Sequence, residues 1–225
     1  MRARIDHLVI AAASLDQGVA WCEDTLGVTP APGGEHPLMG THNRLLRIAT
    51  VDYPRGYLEI IAVQPGRHAQ RPHRWFDLDD EAVRDTLAAS GPRLLHFVAS
   101  VPDLRQALAA LRERALDGGE AIAASRMTPR GMLQWQIGLR DDGRRLFAGA
   151  LPTLIEWGEA HPASSLAESG VTLQAMGVAH PQSDKLRAAY DAIGLQGVAT
   201  KTGAPDLCAV LDTPRGRVKL SSEGL

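Results

Sequence analysis

Apolar positions along the chain form three segments with the same order of elements. Each segment opens with a strand-like apolar run, at residues 5–10, 94–99 and 173–178. A helix pattern follows each run, with apolar residues at helical spacing and a glycine stop at Gly27, Gly118 or Gly194. Ser14 and Asp103 stand at the N-cap positions of the first two helices. The recurrence predicts an α+β fold of repeated strand–helix–strand modules.

Further strand-like runs follow each helix, at residues 43–48, 57–63, 121–125, 132–139, 153–157, 207–211 and 217–220. A loop rich in proline and glycine is predicted over residues 30–40. The tripeptide Pro-Arg-Gly recurs at 54–56, 129–131 and 214–216. This echo favours a common origin of the three segments, although Pro-Arg-Gly is also a good turn sequence.

These patterns divide the chain into a first βαβββ module at 1–63, a connector at 64–93, a second module at 94–162 and a reduced third module at 163–225. The connector starts with polar residues, proline and glycine, and ends in a predicted helix over residues 79–89. Connectors of this length commonly have a function of their own.

Composition excludes several classes of protein. The 225 residues carry a formal net charge of −2, with 44% hydrophobic and 22% charged residues, which excludes wholesale disorder and gives no electrostatic footprint for nucleic acid. No apolar run approaches the roughly 20 residues that span a bilayer, and no signal-peptide core is visible. Cys22 and Cys208 are too few for a disulfide framework and are interpreted as packing residues. We expect a cytoplasmic protein without membrane or nucleic-acid partners.

Four motifs resemble one known family. They are Ile5-Asp6-His7-Leu8-Val9, Gly40-Thr41-His42-Asn43-Arg44-Leu45-Leu46, Tyr57-Leu58-Glu59-Ile60-Ile61, and Leu154-Ile155-Glu156-Trp157-Gly158 with His161-Pro162. They are similar to glyoxalase-like members of the vicinal-oxygen-chelate superfamily, which includes glyoxalase I, extradiol dioxygenases, and fosfomycin- and bleomycin-resistance proteins. The resemblance covers residues 4–162 well and the third segment loosely. It implies tandem βαβββ modules that form a curved mixed sheet around a central cavity.

The resemblance also implies a metal site. In metal-bearing relatives each module offers a ligand from its first strand, here His7 or His96, and one from its last strand, here Glu59 or Glu156. Two imidazoles and two carboxylates suit a divalent ion such as Zn, Fe, Mn, Ni or Co. Two open positions on that ion would chelate adjacent oxygens of a small substrate, for isomerase, lyase or dioxygenase chemistry. Glu156 is the candidate general base.

Other interpretations stay open. A histidine in an apolar strand is more often structural than a ligand, and a glutamate that faces outward from a sheet is an ordinary solvated residue. The same fold without metal would be a small-molecule binding or sequestering protein, and a scaffold or dimerisation protein is a weaker alternative. Gln174 and Lys219 occupy the ligand positions in the third segment, so that segment is expected to shield the sheet or form a subunit interface, in a possible homodimer.

Candidate substrate-binding residues lie in the same motifs. The resemblance places His42, Asn43 and Arg44 at the rim or floor of the pocket, where Arg44 could hold a carboxylate by its bidentate fork. A plain turn, with Asn43 fixing the backbone, explains this motif equally well. Trp75 would cap the cavity and Trp135 would form part of its wall. The expected partner is therefore a small-molecule substrate.

Overall fold

A computed structural model describes residues 2–128 and 131–224 of the chain. The Pro-Arg-Gly tripeptides at 54–56 and 214–216 lie within these ranges. Pro129 and Arg130, of the tripeptide at 129–131, lie outside the described residues. Twelve strands and four α-helices are present in the described part of the chain.

The first module contains β1 (Arg4–Ala11), α1 (Leu15–Leu26), β2 (Ala31–His36), β3 (Thr41–Arg47) and β4 (Tyr57–Val63). The connector contains α2 (Glu81–Ser90). The second module contains β5 (Arg93–Ser100), α3 (Leu104–Arg112), β6 (Glu120–Thr128), β7 (Gly131–Leu139) and β8 (Thr153–Trp157). The third segment contains β9 (Thr172–Ala179), α4 (Ser183–Ile193), β10 (Val198–Lys201), β11 (Asp206–Thr213) and β12 (Gly216–Ser221).

The first two modules form one eight-stranded sheet, in the order β2-β3-β4-β1-β5-β8-β7-β6. Strands β1 and β5 pair antiparallel at its centre. Each of these first strands pairs parallel with the last strand of its own module, β1 with β4 and β5 with β8. The two halves of the sheet therefore repeat one topology, and the predicted α+β fold of tandem modules is confirmed.

Local signals explain where the first helix lies. The Ser14 hydroxyl accepts a hydrogen bond from the Gln17 N–H, and Gly27 ends the helix at a φ of 78°, a left-handed conformation that favours glycine. Gly18 lets the helix pack tightly on the sheet, because a Cβ there would lie 2.4 Å from the Ile60 side chain. Helix α1 is thus fixed against strand β4.

Alternation along the central strands separates two faces of the sheet. Leu8 and Ile10 of β1 face outward, into a core that contains the buried residues of α1, α3 and α4. Val9 and Ala11 face inward, into a second core with Trp75, Phe76 and the buried residues of α2. The inner face, where the connector covers the sheet, carries the cleft described below.

The third segment differs from the two modules. Its sheet has the order β10-β9-β11-β12, with β9 parallel to β10. Leu173, Ile193 and Leu207 belong to the outer core, so the segment packs on the helix-bearing face of the large sheet. The connector, through Trp75, Phe76 and Leu78, packs on the inner face.

Two predicted boundaries were wrong. The proline- and glycine-rich region predicted as a loop contains β2, an edge strand, which tolerates Pro32 because an edge position does not need every backbone donor. Helix α3 ends at Arg112, before the glycines, and Ala115 then adopts a positive φ of 55°. No helix within residues 2–128 and 131–224 is long and apolar enough to cross a bilayer.

Candidate functional site

A cleft opens on the inner face of the first module. Its floor comes from β1, β3 and β4, its cover from the connector, and its far wall from β6, β7 and β8. The cavity within it measures about 40 Å³. The lining residues are His7, His36, Asn43, Leu45, Tyr57, Glu59, Trp75, Phe76, Arg126, Leu133, Trp135, Ile137, Ile155, Trp157 and Pro162.

A fully buried carboxylate, Asp6, lies beneath the cleft at an irregularity in the pairing of β1 with β5. Its oxygens lie 2.8 Å from His7 Nδ1, 3.0 Å from the Trp157 indole nitrogen and 3.0 Å from His161 Nε2. Because His161 Nδ1 accepts from the Ala163 N–H, its Nε2 carries the proton and donates to Asp6. Burial alone would raise the pKa of Asp6, but the bonds from His161 and His7 outweigh it and hold that pKa well below its usual range.

His7 lies between two carboxylates. Its Nδ1 meets Asp6, and its Nε2 lies 3.5 Å from Glu59 Oε2. The Tyr57 ring stacks on the imidazole with centroids 4.5 Å apart. Burial favours the neutral ring, but Asp6 and Glu59 outweigh burial and raise the pKa of His7 to about 9. His7 is therefore an imidazolium at neutral pH.

Glu59 is the acceptor at the centre of the cleft floor. The Asn43 amide donates to its Oε1 at 2.5 Å. Burial works against ionisation, but the contacts with His7, His36 and Asn43 lower the pKa of Glu59 to about 2. Only 6% of the residue is exposed. The cleft thus holds an ionised carboxylate beside a protonated imidazole.

His36 completes the floor. Its Nδ1 lies 3.0 Å from the Thr41 hydroxyl, and its Nε2 lies 3.3 Å from the Asn43 amide nitrogen and 3.9 Å from Glu59 Oε1. Burial, with the positive charges of Arg126 and His7, lowers its pKa to about 4 despite the nearby Glu59. Neutral His36 can donate to Thr41 and accept from Asn43.

The structure brings five of the sequence-predicted residues together: His7, Asn43, Glu59, Trp75 and Trp135 all line the cleft. Sequence reasoning missed Asp6, His36 and Arg126. Asp6 had one usable signal, a carboxylate next to the candidate His7 in a buried strand. His36 had none, because it stood in a predicted loop.

His96 does not join them. It lines a neighbouring cavity that shares Trp75 and Phe76 with the cleft. Its Nδ1 lies 3.0 Å from the Gly149 carbonyl oxygen, and its Nε2 accepts from the Thr153 N–H at 3.1 Å. Burial lowers its pKa to about 3, with a further contribution from Arg145. The two ring nitrogens therefore connect β5 to the turn at residues 147–149 and to β8.

Glu156, the candidate general base, lies on the opposite face of the sheet. Its neighbours in β8, Ile155 and Trp157, face the cleft, so alternation turns Glu156 outward. Its Oε2 accepts a hydrogen bond of 2.7 Å from the Leu104 N–H, at the first turn of α3. The carboxylate stabilises a helix N-terminus instead of facing the cleft.

The side chains present do not fit the metal set that the resemblance implies. That set is two histidines and two glutamates around one divalent ion. Here His7 and Glu59 share the cleft, while His96 and Glu156 are engaged elsewhere. In the part of the chain that the structure describes, no group of three or more His, Cys, Asp and Glu side chains is arranged to hold a metal ion.

His42 and Arg44 also lie away from the cleft. Arg44 pairs in register with Ile60, whose side chain belongs to the outer core, whereas Asn43 pairs with the inward Ile61. Burial lowers the pKa of His42. Alternation in β3 therefore leaves Asn43 as the residue of the three that reaches the cleft.

Replacement of Glu156 by alanine should reduce stability without affecting function. The change removes a charge-assisted bond at the N-terminus of α3, which is worth about 1–2 kcal/mol. Urea unfolding measures the loss, and Glu156→Gln, which keeps an acceptor oxygen, should lose less. A Glu156→Ala protein that folds normally but loses its ligand or activity would restore Glu156 as a site residue.

Comparison with known proteins now adds to the geometry. A model of the glyoxalase-like domain family matches residues 5–194. The chain belongs to the glyoxalase-like domain family. The resemblance to the vicinal-oxygen-chelate superfamily is thereby confirmed. No curated protein matches this glyoxalase-like chain.

Several solved structures are similar to the glyoxalase-like chain at low identity. A hypothetical protein from Staphylococcus aureus is 14% identical over 91% of this chain and 88% of its own, with a TM-score of 0.59. A methylmalonyl-CoA epimerase from Streptomyces coelicolor, in complex with 2-nitronate-propionyl-CoA, is 19% identical over 71% and 100%, with a TM-score of 0.42. The epimerase from Mycobacterium tuberculosis is 18% identical over 72% and 91%, with a TM-score of 0.39.

Proposed function

We propose that the chain is an enzyme that moves a proton at a carbon next to a carbonyl group of a small substrate, in isomerase or lyase chemistry. One observation carries the proposal: the Glu59 carboxyl group and the His7 imidazole lie 3.5 Å apart on the floor of a cleft walled by tryptophans. A base and an acid in one enclosed site are what such a proton transfer requires.

The separation of the two groups supports this use. The 3.5 Å between His7 Nε2 and Glu59 Oε2 exceeds the 2.7–3.2 Å of a good hydrogen bond. A substrate oxygen can therefore take the His7 N–H without breaking a strong bond. Once the His7 N–H bonds to a substrate oxygen, its contact with Glu59 weakens. The pKa of Glu59 then rises, and Glu59 becomes a stronger base.

The reaction balances with these two residues. Glu59 takes the proton from the carbon next to the carbonyl, and the C–H electron pair forms the C=C bond of an enolate. The carbonyl π electrons move to oxygen, where the His7 N–H stabilises the negative charge. Return of a proton to the carbon gives an isomer, and loss of a neighbouring leaving group gives a lyase product.

The surrounding residues position this pair. Asp6 fixes the ring orientation and the charge of His7 from below. The Asn43 amide holds Glu59 by Oε1, while the Gly34 N–H donates to Asn43 Oδ1 at 2.7 Å. Trp135 and Trp157, with ring centroids 5.6 Å apart, form an apolar wall that limits the access of water.

Hydrogen–deuterium exchange tests the proposal. Small carbonyl compounds, both 2-oxo acids and uncharged ketones, are incubated with the protein in D₂O and followed by ¹H NMR. We expect catalysed loss of the C–H signal next to the carbonyl, and we expect it to survive dialysis against EDTA, because the steps use only side chains of this chain. Ligand binding in the cleft without exchange would contradict the proposal and support a sequestering protein.

A further inference from the structure

Arg126 of β6 is the one candidate cation of the cleft that the sequence did not indicate. It lines the same cleft as Asn43 and Glu59. Its Nη1 is buried and has no hydrogen-bond partner within the described residues. Arg126 as a whole is half-buried. A guanidinium N–H that is shielded from water and has no partner costs a hydrogen bond, and an acceptor oxygen on a bound ligand would satisfy it.

Arg93 also has a buried nitrogen without a hydrogen-bond partner among the described residues, but other shielded arginines form ion pairs. The Arg145 side chain, 4% exposed, pairs with Asp77 at 2.7 Å and donates to the Leu95 carbonyl at 2.6 Å. Arg74 pairs with Asp79 at 2.6 Å. Arg126 forms no such ion pair among residues 2–128 and 131–224, although Glu59 lines the same cleft. A protein carboxylate therefore does not neutralise it.

Two glycines of β2 create the space that this arrangement needs. A Cβ at Gly34 would lie 2.0 Å from Arg126 Nη1, and one at Gly33 would lie 2.0 Å from Asn43 Oδ1. Any side chain at either position would displace the guanidinium or the amide. The two glycines of β2 thus leave room for the Arg126 guanidinium and the Asn43 amide in the cleft.

We propose that Arg126 binds the carboxylate of a small substrate whose carbonyl-bearing part lies over Glu59 and His7. The planar guanidinium matches the two oxygens of a carboxylate better than a point charge would. Trp75, Trp135 and Trp157 would contact the remaining apolar part of the substrate. The substrate class is then a short carboxylic acid with a neighbouring carbonyl group. The reaction of this substrate rests on the proposed function, whereas the binding of its carboxylate by Arg126 does not.

Binding is measured by quenching of tryptophan fluorescence, with pyruvate, its uncharged amide pyruvamide, and its phosphonate analogue acetylphosphonate. The variants are Arg126→Gln, Arg126→Lys and the control Arg84→Gln, which changes an exposed arginine of α2. In Arg126→Gln the Kd for pyruvate should rise about 10- to 100-fold, as for loss of a charged hydrogen bond. Pyruvamide binding should not change, and Arg126→Lys should bind pyruvate with intermediate affinity.

The assignment would be overturned by equal affinity of the wild type for pyruvate and pyruvamide, by no binding of either, or by an unchanged pyruvate Kd in Arg126→Gln. Tighter binding of acetylphosphonate than of pyruvate would also overturn it, in favour of a phosphate group. A different result would contradict the proposed function and leave the role of Arg126 intact: the wild type would bind pyruvate through Arg126 but catalyse no hydrogen exchange at carbon.

Discussion

Replacement of Asp6 by asparagine is expected to lower the free energy of unfolding by about 3–5 kcal/mol, the range for breaking a buried ion pair. Asp6 is fully buried and meets three donors, on His7, His161 and Trp157. Asparagine keeps the shape, but it removes the charge and presents an N–H₂ group toward at least one donor. The imidazolium of His7 then has Glu59 as its remaining counter-charge. Urea denaturation at pH 6 measures the loss.

The pKa shifts of Asp6 and His7 predict at which pH the loss of stability in Asp6→Asn is largest. The pKa of Asp6 lies below its ordinary value of 3.8, so the contribution of its charge is present above that pH. The pKa of His7 rises from 6.5 to about 9, so the contribution of its proton is complete below pH 6.5 and disappears as pH rises through 9. The difference between wild type and Asp6→Asn should therefore be largest from about pH 4 to 6.5 and shrink toward pH 9.

Two measurements separate this explanation from a general packing defect. NMR titration of the His7 ring should show a pKa near 9 in the wild type and a lower one in Asp6→Asn. The control Asp141→Asn changes a carboxylate that is 96% exposed and pairs with Arg71, and it should leave stability unchanged. Equal stability of Asp6→Asn and wild type at pH 6 would mean that Asp6 does not hold a charged His7.

Local signals account for the part of the fold that the sequence predicted. Ser14 and Gly27 bound α1, and Asp103 caps α3 through the Gln106 N–H, because caps and stops act within a few residues. The pairing of β1 with β5 joins residues that are about 90 positions apart. No local pattern fixes such a pair. The resemblance implied one curved sheet built from both modules, but not which strands meet at its centre.

The candidate site was half predictable for a similar reason. Glu59 and Glu156 both interrupt apolar runs, and the sequence does not show which face each glutamate takes. In β4, Glu59 is in phase with the inward Ile61, whereas in β8, Glu156 is in phase with the outward Leu154. A shift of one residue along a strand turns a side chain to the other face of the sheet. This difference alone makes Glu59 a cleft residue and Glu156 a helix cap.

Arg126 and His36 show a different limit. Each lies on a strand at an edge of the large sheet, β6 or β2, where apolar alternation is weak. They reach the cleft only because the sheet curls and brings its edges toward each other, which is a property of the whole sheet. Arg44 was the natural sequence candidate for a carboxylate, but the alternation of β3 turns it away.

Replacement of Glu59 by glutamine is expected to reduce the rate of carbon–hydrogen exchange by at least about 10³-fold. The amide has nearly the same shape and still accepts a hydrogen bond from Asn43, so the cleft floor keeps its form. It cannot take a proton from carbon. The deuterium-exchange assay measures the rate, and fluorescence quenching measures pyruvate affinity in the same samples. We expect kcat to fall while the Kd for pyruvate changes by less than about threefold, because Arg126, not Glu59, holds the carboxylate.

The control for this variant is Glu120→Gln, which changes a carboxylate of β6 that is 77% exposed and pairs with Arg112, and it should exchange like the wild type. Exchange at the wild-type rate in Glu59→Gln would remove Glu59 as the base. A parallel loss of pyruvate affinity would instead make the Glu59 carboxylate part of the binding surface.

The contrast with Arg126→Gln is then decisive. That variant should lose affinity for pyruvate, while it keeps hydrogen exchange on uncharged ketones. Two variants of one cleft would thus separate the group that holds the substrate from the group that moves the proton.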